Sequence, residues 1–212
     1  LMNPIMTSLI LSSVATGTII TMTSFHWLLA WIGLELNTLA IIPLIAKHHH
    51  PRATEATTKY FLTQAAASAT LLFSSTLNAW STGTWDITQI TSPTACIMLT
   101  MALAMKLGLA PLHFWLPEVL QGTSMATAMI IATWQKLAPI TLLFLSHSSL
   151  NTTILLTMAV VSTITGGWGG LNQTQTRKLM AFSSIAHLGW MAAIATLTPH
   201  ILLLNLSLYI LM

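Results

Sequence analysis

Long apolar runs separated by short polar segments follow one another along the whole sequence. A helix needs about 20 apolar residues to cross the hydrocarbon of a bilayer, so these runs predict membrane-spanning helices. The predicted spans are residues 4–24, 27–46, 60–81, 94–121, 124–146, 150–168 and 179–198, with an eighth that begins near residue 200. We therefore expect an all-α, polytopic helix bundle in one membrane domain over residues 1–212, with about seven complete spans. The eighth run is too short to cross a bilayer, so we expect the chain to continue beyond Met212.

The polar segments between the spans carry charges of different sign. Residues 47–59 and 171–178 are rich in basic side chains, such as Lys47 and Arg177, whereas residues 82–93 carry Asp86. Alternating spans put both basic segments on one side of the membrane and Asp86 on the other. Because basic residues normally gather on one face of a membrane protein, this separation supports the predicted number of spans.

The composition excludes several classes of protein. Hydrophobic residues make up 54% of the chain and charged residues only 5%, whereas about a quarter of a soluble domain is charged. The formal net charge of +3 is spread over the connecting segments, so it forms no basic patch for nucleic acid. One cysteine, Cys96, excludes an internal disulfide framework. The sequence also lacks glycine-rich phosphate-binding motifs and a nucleophile elbow.

Three ionisable residues lie deep inside the predicted spans: Glu35, Lys106 and Lys136. A charge at the centre of a lipid-facing helix costs roughly 2.5–3.5 kcal/mol, so such residues normally face the protein interior and serve a function. A buried lysine can lose its proton, whereas arginine stays charged. Two lysines beside one glutamate therefore favour a proton-conducting path, provided that Glu35 and Lys106 approach each other. A structural ion pair that only holds helices together is the alternative interpretation.

Each of these charges is followed by a proline in its own predicted span: Pro43, Pro111 and Pro139. Proline has no N–H to donate, so it leaves the carbonyl four residues earlier without its helical partner. Pro111 would free the carbonyl of Leu107 beside Lys106, and Gly108 loosens the same turn. Free carbonyls at membrane depth are tolerated only where protein or water meets them. The pattern predicts a proline-broken helix in span four, as found at transporter ion sites.

Two histidines are candidate relays for the same path. His113 follows the expected break at Pro111, and His187 lies one helical turn from Ser183. A packed, hydrogen-bonded structural histidine is the alternative for both.

Four motifs together resemble one known family. They are residues 106–118, which contain the run around Pro111 and His113, and residues 134–139, 166–178 and 182–187. These stretches resemble the antiporter-like membrane subunits of respiratory complex I and of multisubunit cation/proton antiporters. The resemblance extends over almost the whole chain. One departure is Phe182, which stands where the family usually has tyrosine.

The resemblance implies a fold and a function. The fold would be built from two inverted repeats, of which the first is complete here and the second incomplete. Glu35 would take the position of the family's glutamate, pair with Lys106 and pass protons towards Lys136. The protein would then be a multi-pass, proton-translocating membrane-arm subunit of NADH:ubiquinone reductase in the mitochondrial inner membrane.

The same resemblance implies where the other components lie. Flavin, iron–sulfur clusters and quinone would belong to other subunits, so this chain would hold no cofactor and no metal and perform no redox chemistry. Its partners would be other membrane-arm and accessory subunits of the complex, together with lipids, protons and internal water, and no nucleic acid.

Two other functions fit the sequence less well. A secondary cation/proton antiporter subunit would need further carboxylates in the spans, but only Glu35 is clearly central. A structural membrane scaffold without pumping activity would need the buried charges only for helix contacts.

Overall fold

The computed structural model describes residues 3–46 and 50–211, and this part of the chain folds almost entirely into helices. The helices are α1 (Pro4–Thr23), α2 (Trp27–Ile45), α3 (Pro51–Thr82), α4 (Pro93–Leu107), α5 (Trp115–Gly122), α6 (Met125–Ala132), α7 (Trp134–Leu145), α8 (Thr152–Leu171), α9 (Thr176–Leu197) and α10 (Pro199–Leu211). Extended pairing in the described ranges is limited to an isolated bridge between His26 and Asp86. The expectation of an all-α fold is confirmed.

In the described part of the chain, five helical segments are long and apolar enough to cross a membrane. They are α1, α2, α8, α9 and the segment Met125–Leu145, which contains α6 and α7. Two further apolar helices, α4 and α10, are shorter than a full span. The length and composition of these helices support the multi-pass architecture that the apolar runs predict.

The predicted polar loop over residues 47–59 is wrong from residue 51 onwards. Helix α3 begins at Pro51, because the His50 side chain accepts a hydrogen bond from the backbone N–H of Arg52 and proline is favoured in the first helical turn. The helix therefore runs for 32 residues, well past the predicted span 60–81 at its start. Lys47, the first basic residue of the predicted loop, lies outside the described residues.

Two predicted spans are interrupted. The span 94–121 consists of α4 and α5, separated by residues 108–114, and the span 124–146 consists of α6 and α7, which meet at Thr133. Gly108 forms the C-cap of α4 with a φ angle of 80°, a left-handed conformation that glycine adopts without steric cost. Helix α4 thus ends at Leu107, four residues before Pro111. By contrast, Pro43 and Pro139 lie inside α2 and α7, which continue past them.

Glycine allows α1 and α2 to pack closely next to Glu35. A Cβ atom added to Gly33 would lie 2.6 Å from Cγ2 of Thr21 and 2.9 Å from the carbonyl oxygen of Gly17. Small residues at such crossings let backbones approach in membrane helices, where van der Waals packing drives association. This contact fixes the position of the α2 turn that carries Glu35.

The connecting segments gather at two ends of the bundle. At one end, Arg177 donates to the carbonyl of Gln121 at 3.1 Å and also to the carbonyl of Thr123. Lys59 of α3 meets Glu118 of α5 at the same end, with 2.7 Å between Nζ and Oε2. We call this the basic end of the bundle.

The opposite end carries Asp86. There, the backbone N–H of Trp27 donates to the carbonyl of Trp85 at 3.0 Å, and the Asn78 side chain donates to the carbonyl of Gln89 at 2.8 Å. Contacts within the bundle therefore separate the basic segments from Asp86, in agreement with the charge pattern of the sequence.

Candidate proton-transfer site

The interruption between α4 and α5 leaves backbone groups that other parts of the protein satisfy. Gly108 donates its N–H to the carbonyls of Ala104 and Met105, at 2.9 and 3.2 Å. The carbonyl of Met105 also accepts a hydrogen bond from the Trp115 indole N–H at 3.2 Å. Further on, the N–H of Ala110 donates to the Ser162 hydroxyl of α8 at 2.9 Å. Buried backbone groups of a broken helix need such partners, so the break is a built feature of the fold.

Lys136 donates a hydrogen bond to the carbonyl of the last residue of α4. Its Nζ donates to the carbonyl oxygen of Leu107 at 2.6 Å, and its side chain is only 1% exposed. The ammonium also lies 5.0 Å from the centre of the Trp115 ring, within the range of a cation–π interaction. The sequence suggested that the Leu107 oxygen would serve Lys106. The structure instead gives it to Lys136, which links α7 to the interruption in α4.

Lys106 is buried without such a contact. Its side chain is 3% exposed, and its Nζ has no hydrogen-bond partner among the described residues. Glu35 is half-buried, and its Oε2 atom likewise has no hydrogen-bond partner in the described part of the chain. A desolvated amine and a desolvated carboxylate oxygen without partners are costly, so their presence calls for an explanation such as a function.

The expected pair of Glu35 and Lys106 is not a contact pair in the structure. Within residues 3–46 and 50–211, the salt bridges under 4.0 Å both involve Lys59 at the basic end. Glu35 is nevertheless near enough to act electrostatically on Lys106 and on Tyr60 of α3. The lack of a direct contact between these two groups does not favour the interpretation of a structural ion pair.

A second interruption lies one turn before Lys136. The N–H of Lys136 donates to the carbonyl of Thr133 at 3.2 Å and so leaves the carbonyl of Ala132 free for another donor. The Tyr209 hydroxyl of α10 donates to that carbonyl at 2.8 Å and lies 3.0 Å from the Ser184 hydroxyl of α9. Lys136 thus lies between this break at Thr133 and the interruption after Leu107, which its side chain contacts.

Three buried polar residues of the site were not predicted from the sequence. Gln135 donates from Nε2 to Oδ1 of Asn37 at 2.8 Å, and the Tyr60 hydroxyl donates to Oε1 of Gln135 at 3.5 Å. A signal was present in the sequence, since Asn37 lies two residues after Glu35 and Gln135 directly precedes Lys136. Amide side chains inside apolar spans are costly in the same way as charges, so both positions pointed to a partner.

The two candidate histidines lie in different surroundings. His113 is 8% exposed in the segment between α4 and α5, and its Nδ1 atom has no hydrogen-bond partner among the described residues. His187 is exposed on α9, with its ring centre 5.6 Å from that of Tyr209. The structure therefore puts His113 at the interruption that carries the lysines and leaves His187 at the surface of the described bundle.

A charge cluster at the basic end joins α3 to α5. Lys59 contacts both Glu55 and Glu118. Hydrogen bonds to Glu118, which has the larger effect, and to Glu55 hold the pKa of Lys59 above its usual value. The hydrogen bond from Lys59 lowers the pKa of Glu55. Lys59 and Glu55 therefore stay charged over the physiological pH range, and Lys59 connects the interrupted span to α3 through Glu118.

The described residues contain no group of three or more histidine, cysteine, aspartate or glutamate side chains that suits a metal ion. Lone candidates such as His113 do not form a ligand set by themselves.

Comparison with known proteins identifies the family. Residues 24–212 match the family described as NADH:quinone oxidoreductase/Mrp antiporter, transmembrane. The chain belongs to this family. Membership confirms the resemblance of the four sequence motifs to antiporter-like subunits.

Curated relatives of this family cover the whole chain. NADH-ubiquinone oxidoreductase chain 2 is 61% identical in Xenopus laevis and 62% identical in Gallus gallus, in each case over 211 residues and 100% of this chain. The motifs of the sequence also resemble vertebrate mitochondrial NADH–ubiquinone oxidoreductase chain 2, and these relatives confirm that prediction. The chain spans 61% of the length of each of these relatives.

Solved structures show the same fold. A chain of respiratory complex I from Thermus thermophilus, determined with bound aureothin, is 31% identical with a TM-score of 0.88 over 96% of this chain and 48% of that chain. A chain of the membrane-bound sulfane sulfur reductase, an archaeal respiratory membrane complex, has a TM-score of 0.79 at 20% identity over 90% of this chain and 43% of its own. The second similarity concerns the fold alone.

Proposed function

We propose that this chain is a proton-translocating membrane-arm subunit of respiratory complex I, a multi-pass protein of the mitochondrial inner membrane. The complete protein takes part in NADH:ubiquinone reduction, and its own contribution is proton movement across the membrane. Family membership and the relatives named NADH-ubiquinone oxidoreductase chain 2 support this assignment. Residues 1–212 form a single membrane domain in which α4 and α5 make one interrupted span, and α10 begins the eighth.

The observation that carries the proposal is the burial of two lysines at one helix interruption. Lys106 lies in the last turn of α4, and Lys136 donates to the carbonyl of Leu107, the next residue of that helix. A hydrogen bond from a charged donor is worth about 1.5–3 kcal/mol. Deprotonated Lys136 would bind this carbonyl less strongly, so the charge on Lys136 and the geometry of the interruption are coupled.

The path begins with Glu35 and proceeds through Lys106 to Lys136. Since the Glu35 carboxylate and the Lys106 ammonium are more than 4.0 Å apart, their attraction is below about 4 kcal/mol at an effective dielectric near 20. Moving one charge against 150–200 mV costs roughly 3.5–4.5 kcal/mol. The Lys136–Leu107 hydrogen bond alone falls short of that cost, so a change in the Glu35–Lys106 interaction must supply the rest. His113 is a further relay at the interruption, and His187 is a relay on the surface of α9.

The energy for pumping comes from other subunits. Flavin, iron–sulfur clusters and quinone lie elsewhere in the complex, and this chain holds no cofactor and performs no redox step. Its partners are neighbouring membrane-arm and accessory subunits, together with lipids and internal water. The apolar surface of α1, including Ile5 and Leu9, suits such contacts with lipid or protein.

The test is Lys136→Arg in the complete complex in sealed membranes. Arginine keeps the positive charge and a donor for the Leu107 carbonyl, but it does not release a proton at physiological pH. We expect assembly with a loss of about tenfold or more in proton pumping, as one blocked proton-transfer step allows. The matched control is Lys178→Arg at the basic end, which should pump normally.

The alternatives give different results in this experiment. If pumping and coupled turnover survive Lys136→Arg, the lysine does not titrate and the chain is a scaffold. If pumping by the wild-type complex depends on a sodium or potassium gradient, the chain acts as a cation/proton antiporter subunit instead.

A further inference from the structure

A buried chain of uncharged polar side chains joins three helices beside the two lysines. Its members are Asn37 of α2, Tyr60 of α3 and Gln135 of α7, which are 1%, 2% and 9% exposed. Gln135 donates to Asn37 at 2.8 Å and accepts a hydrogen bond from the Tyr60 hydroxyl at 3.5 Å. We call these three residues the amide clamp. A fully buried amide that bridges two other helices fixes their relative positions, because each broken bond would leave a polar group unpaired.

Two members of the amide clamp are close in sequence to residues of the proposed path, and the third contacts the aromatic ring that Lys136 lies over. Asn37 follows Glu35 by two residues, and Gln135 directly precedes Lys136. The Tyr60 ring meets the Trp115 ring edge-on with centres 5.9 Å apart, and Lys136 lies over the same Trp115 ring. The clamp therefore contacts the surroundings of both the glutamate and the second lysine.

Helix α7 needs such an anchor at its first turn. Thr133 provides no side-chain cap for this helix, and Pro139 has no N–H to donate to the carbonyl of Gln135. The first turn of α7 thus has fewer backbone hydrogen bonds than a regular helix, although it carries Lys136. The side chain of Gln135 supplies the missing attachment by its bonds to α2 and α3.

The chemistry of the clamp limits what it does. Asparagine and glutamine side chains neither gain nor lose protons at physiological pH, and a tyrosine hydroxyl keeps its proton up to about pH 10. We propose that the amide clamp is a positioning device that holds Lys136 against the Leu107 carbonyl and fixes its separation from Glu35. Protons do not pass through it. This inference rests on the proposed function.

The test is Gln135→Met in the complete complex, because methionine has a similar volume but makes neither hydrogen bond. We expect normal electron transfer chemistry in assembled complexes with roughly a 5-fold or greater loss of pumping rate, the factor for the loss of two hydrogen bonds. The ratio of protons pumped to NADH oxidised should also fall, since a misplaced lysine lets turnovers pass without transfer. The matched control is Gln64→Met, a buried glutamine of α3 that makes no side-chain hydrogen bond within the described residues.

A double-mutant cycle and a smaller change separate positioning from simple destabilisation. Gln135→Met combined with Asn37→Leu should be no worse than Gln135→Met alone, because both substitutions remove one interaction. Tyr60→Phe removes a single hydroxyl and serves if Gln135→Met does not assemble. Fewer assembled complexes with an unchanged proton-to-NADH ratio and unchanged turnover per complex would overturn the proposal.

Failure of the clamp and failure of the proposed function give distinct results. If Lys136→Arg abolishes pumping while Gln135→Met and Tyr60→Phe pump normally, only the amide clamp is wrong. If Lys136→Arg itself pumps normally, the proton path is wrong.

Discussion

Replacement of Trp115 tests how strongly the protein holds the charged form of Lys136. Trp115 is 6% exposed, its ring centre is 5.0 Å from the Lys136 Nζ, and its indole N–H donates to the carbonyl of Met105 at 3.2 Å. Trp115→Leu removes the ring and the donor, whereas Trp115→Phe removes the donor and keeps a weaker aromatic face. The difference between the two variants therefore reports mainly on the ring face.

The expected loss of the ammonium form of Lys136 at the Leu107 carbonyl can be calculated from these contacts. A desolvated cation–π interaction is worth about 2 kcal/mol, and tryptophan is the strongest partner. Loss of the indole hydrogen bond adds about 0.5–1.5 kcal/mol in both variants. Since 1.4 kcal/mol is about a factor of ten, we expect Trp115→Leu to lower the population of ammonium bound at Leu107 by roughly 30-fold or more. Trp115→Phe should lower it only a few-fold.

The assay is proton uptake into sealed vesicles that contain the complete complex, expressed per assembled complex and per NADH oxidised. A control at Trp134, which is 43% exposed on the same helix as Lys136, should tolerate both substitutions. Equal pumping by Trp115→Phe and Trp115→Leu would refute the cation–π contribution. Normal pumping by both variants would refute the idea that the position of the Lys136 ammonium matters.

Three other outcomes follow from the structure. Glu35→Gln should assemble but lose most coupled pumping, because Lys106 then has no carboxylate acting on it. The measurement is the number of protons pumped per NADH oxidised, and an unchanged number contradicts this prediction. Gly33→Val should reduce the amount of assembled complex on native gels, since its Cβ would lie 2.6 Å from Thr21 Cγ2, while Gly167→Val, at a helical glycine with open space around it, should cost far less. The Lys59 cluster should stabilise the fold equally between about pH 5 and pH 10. The reason is that the lowered pKa of Glu55 ends its contribution to stability only below pH 4.5, and the raised pKa of Lys59 ends its contribution only above pH 10.5. Thermal inactivation of wild type and Glu55→Gln across that range measures this stability, and a difference between them that changes inside the range contradicts the prediction.

Much of the fold could be predicted from the apolar pattern alone. Helices α1, α2, α8 and α9 lie within a few residues of predicted spans, because their length and hydropathy are set by the membrane. The start of α3 could not be predicted in this way. Its first turns carry Arg52, Glu55 and Lys59, which are as polar as a loop, and the helix there depends on the cap at His50.

The sequence predicted which charged residues are buried at the candidate site. It did not predict which groups those residues contact. Burial of Lys106 and Lys136 follows from the cost of charge in lipid. Which of them binds the Leu107 carbonyl depends on how α7 packs against α4, a tertiary contact with no local signal. The interruption at Thr133 was missed for a similar reason, since neither glycine nor proline marks it. A direct Glu35–Lys106 pair was expected from sequence, and the described residues show no contact under 4.0 Å between the two groups.

Proton transfer along the proposed path requires a change in the protonation of Lys136 during turnover. Infrared difference spectroscopy of the complete complex, recorded during NADH oxidation for wild type and Lys136→Arg, measures the ammonium bands of lysine directly. We expect wild-type difference bands for loss and recovery of one buried ammonium, absent in Lys136→Arg. If both spectra are the same while the wild-type complex pumps protons, Lys136 keeps its charge throughout and the proposed path is wrong.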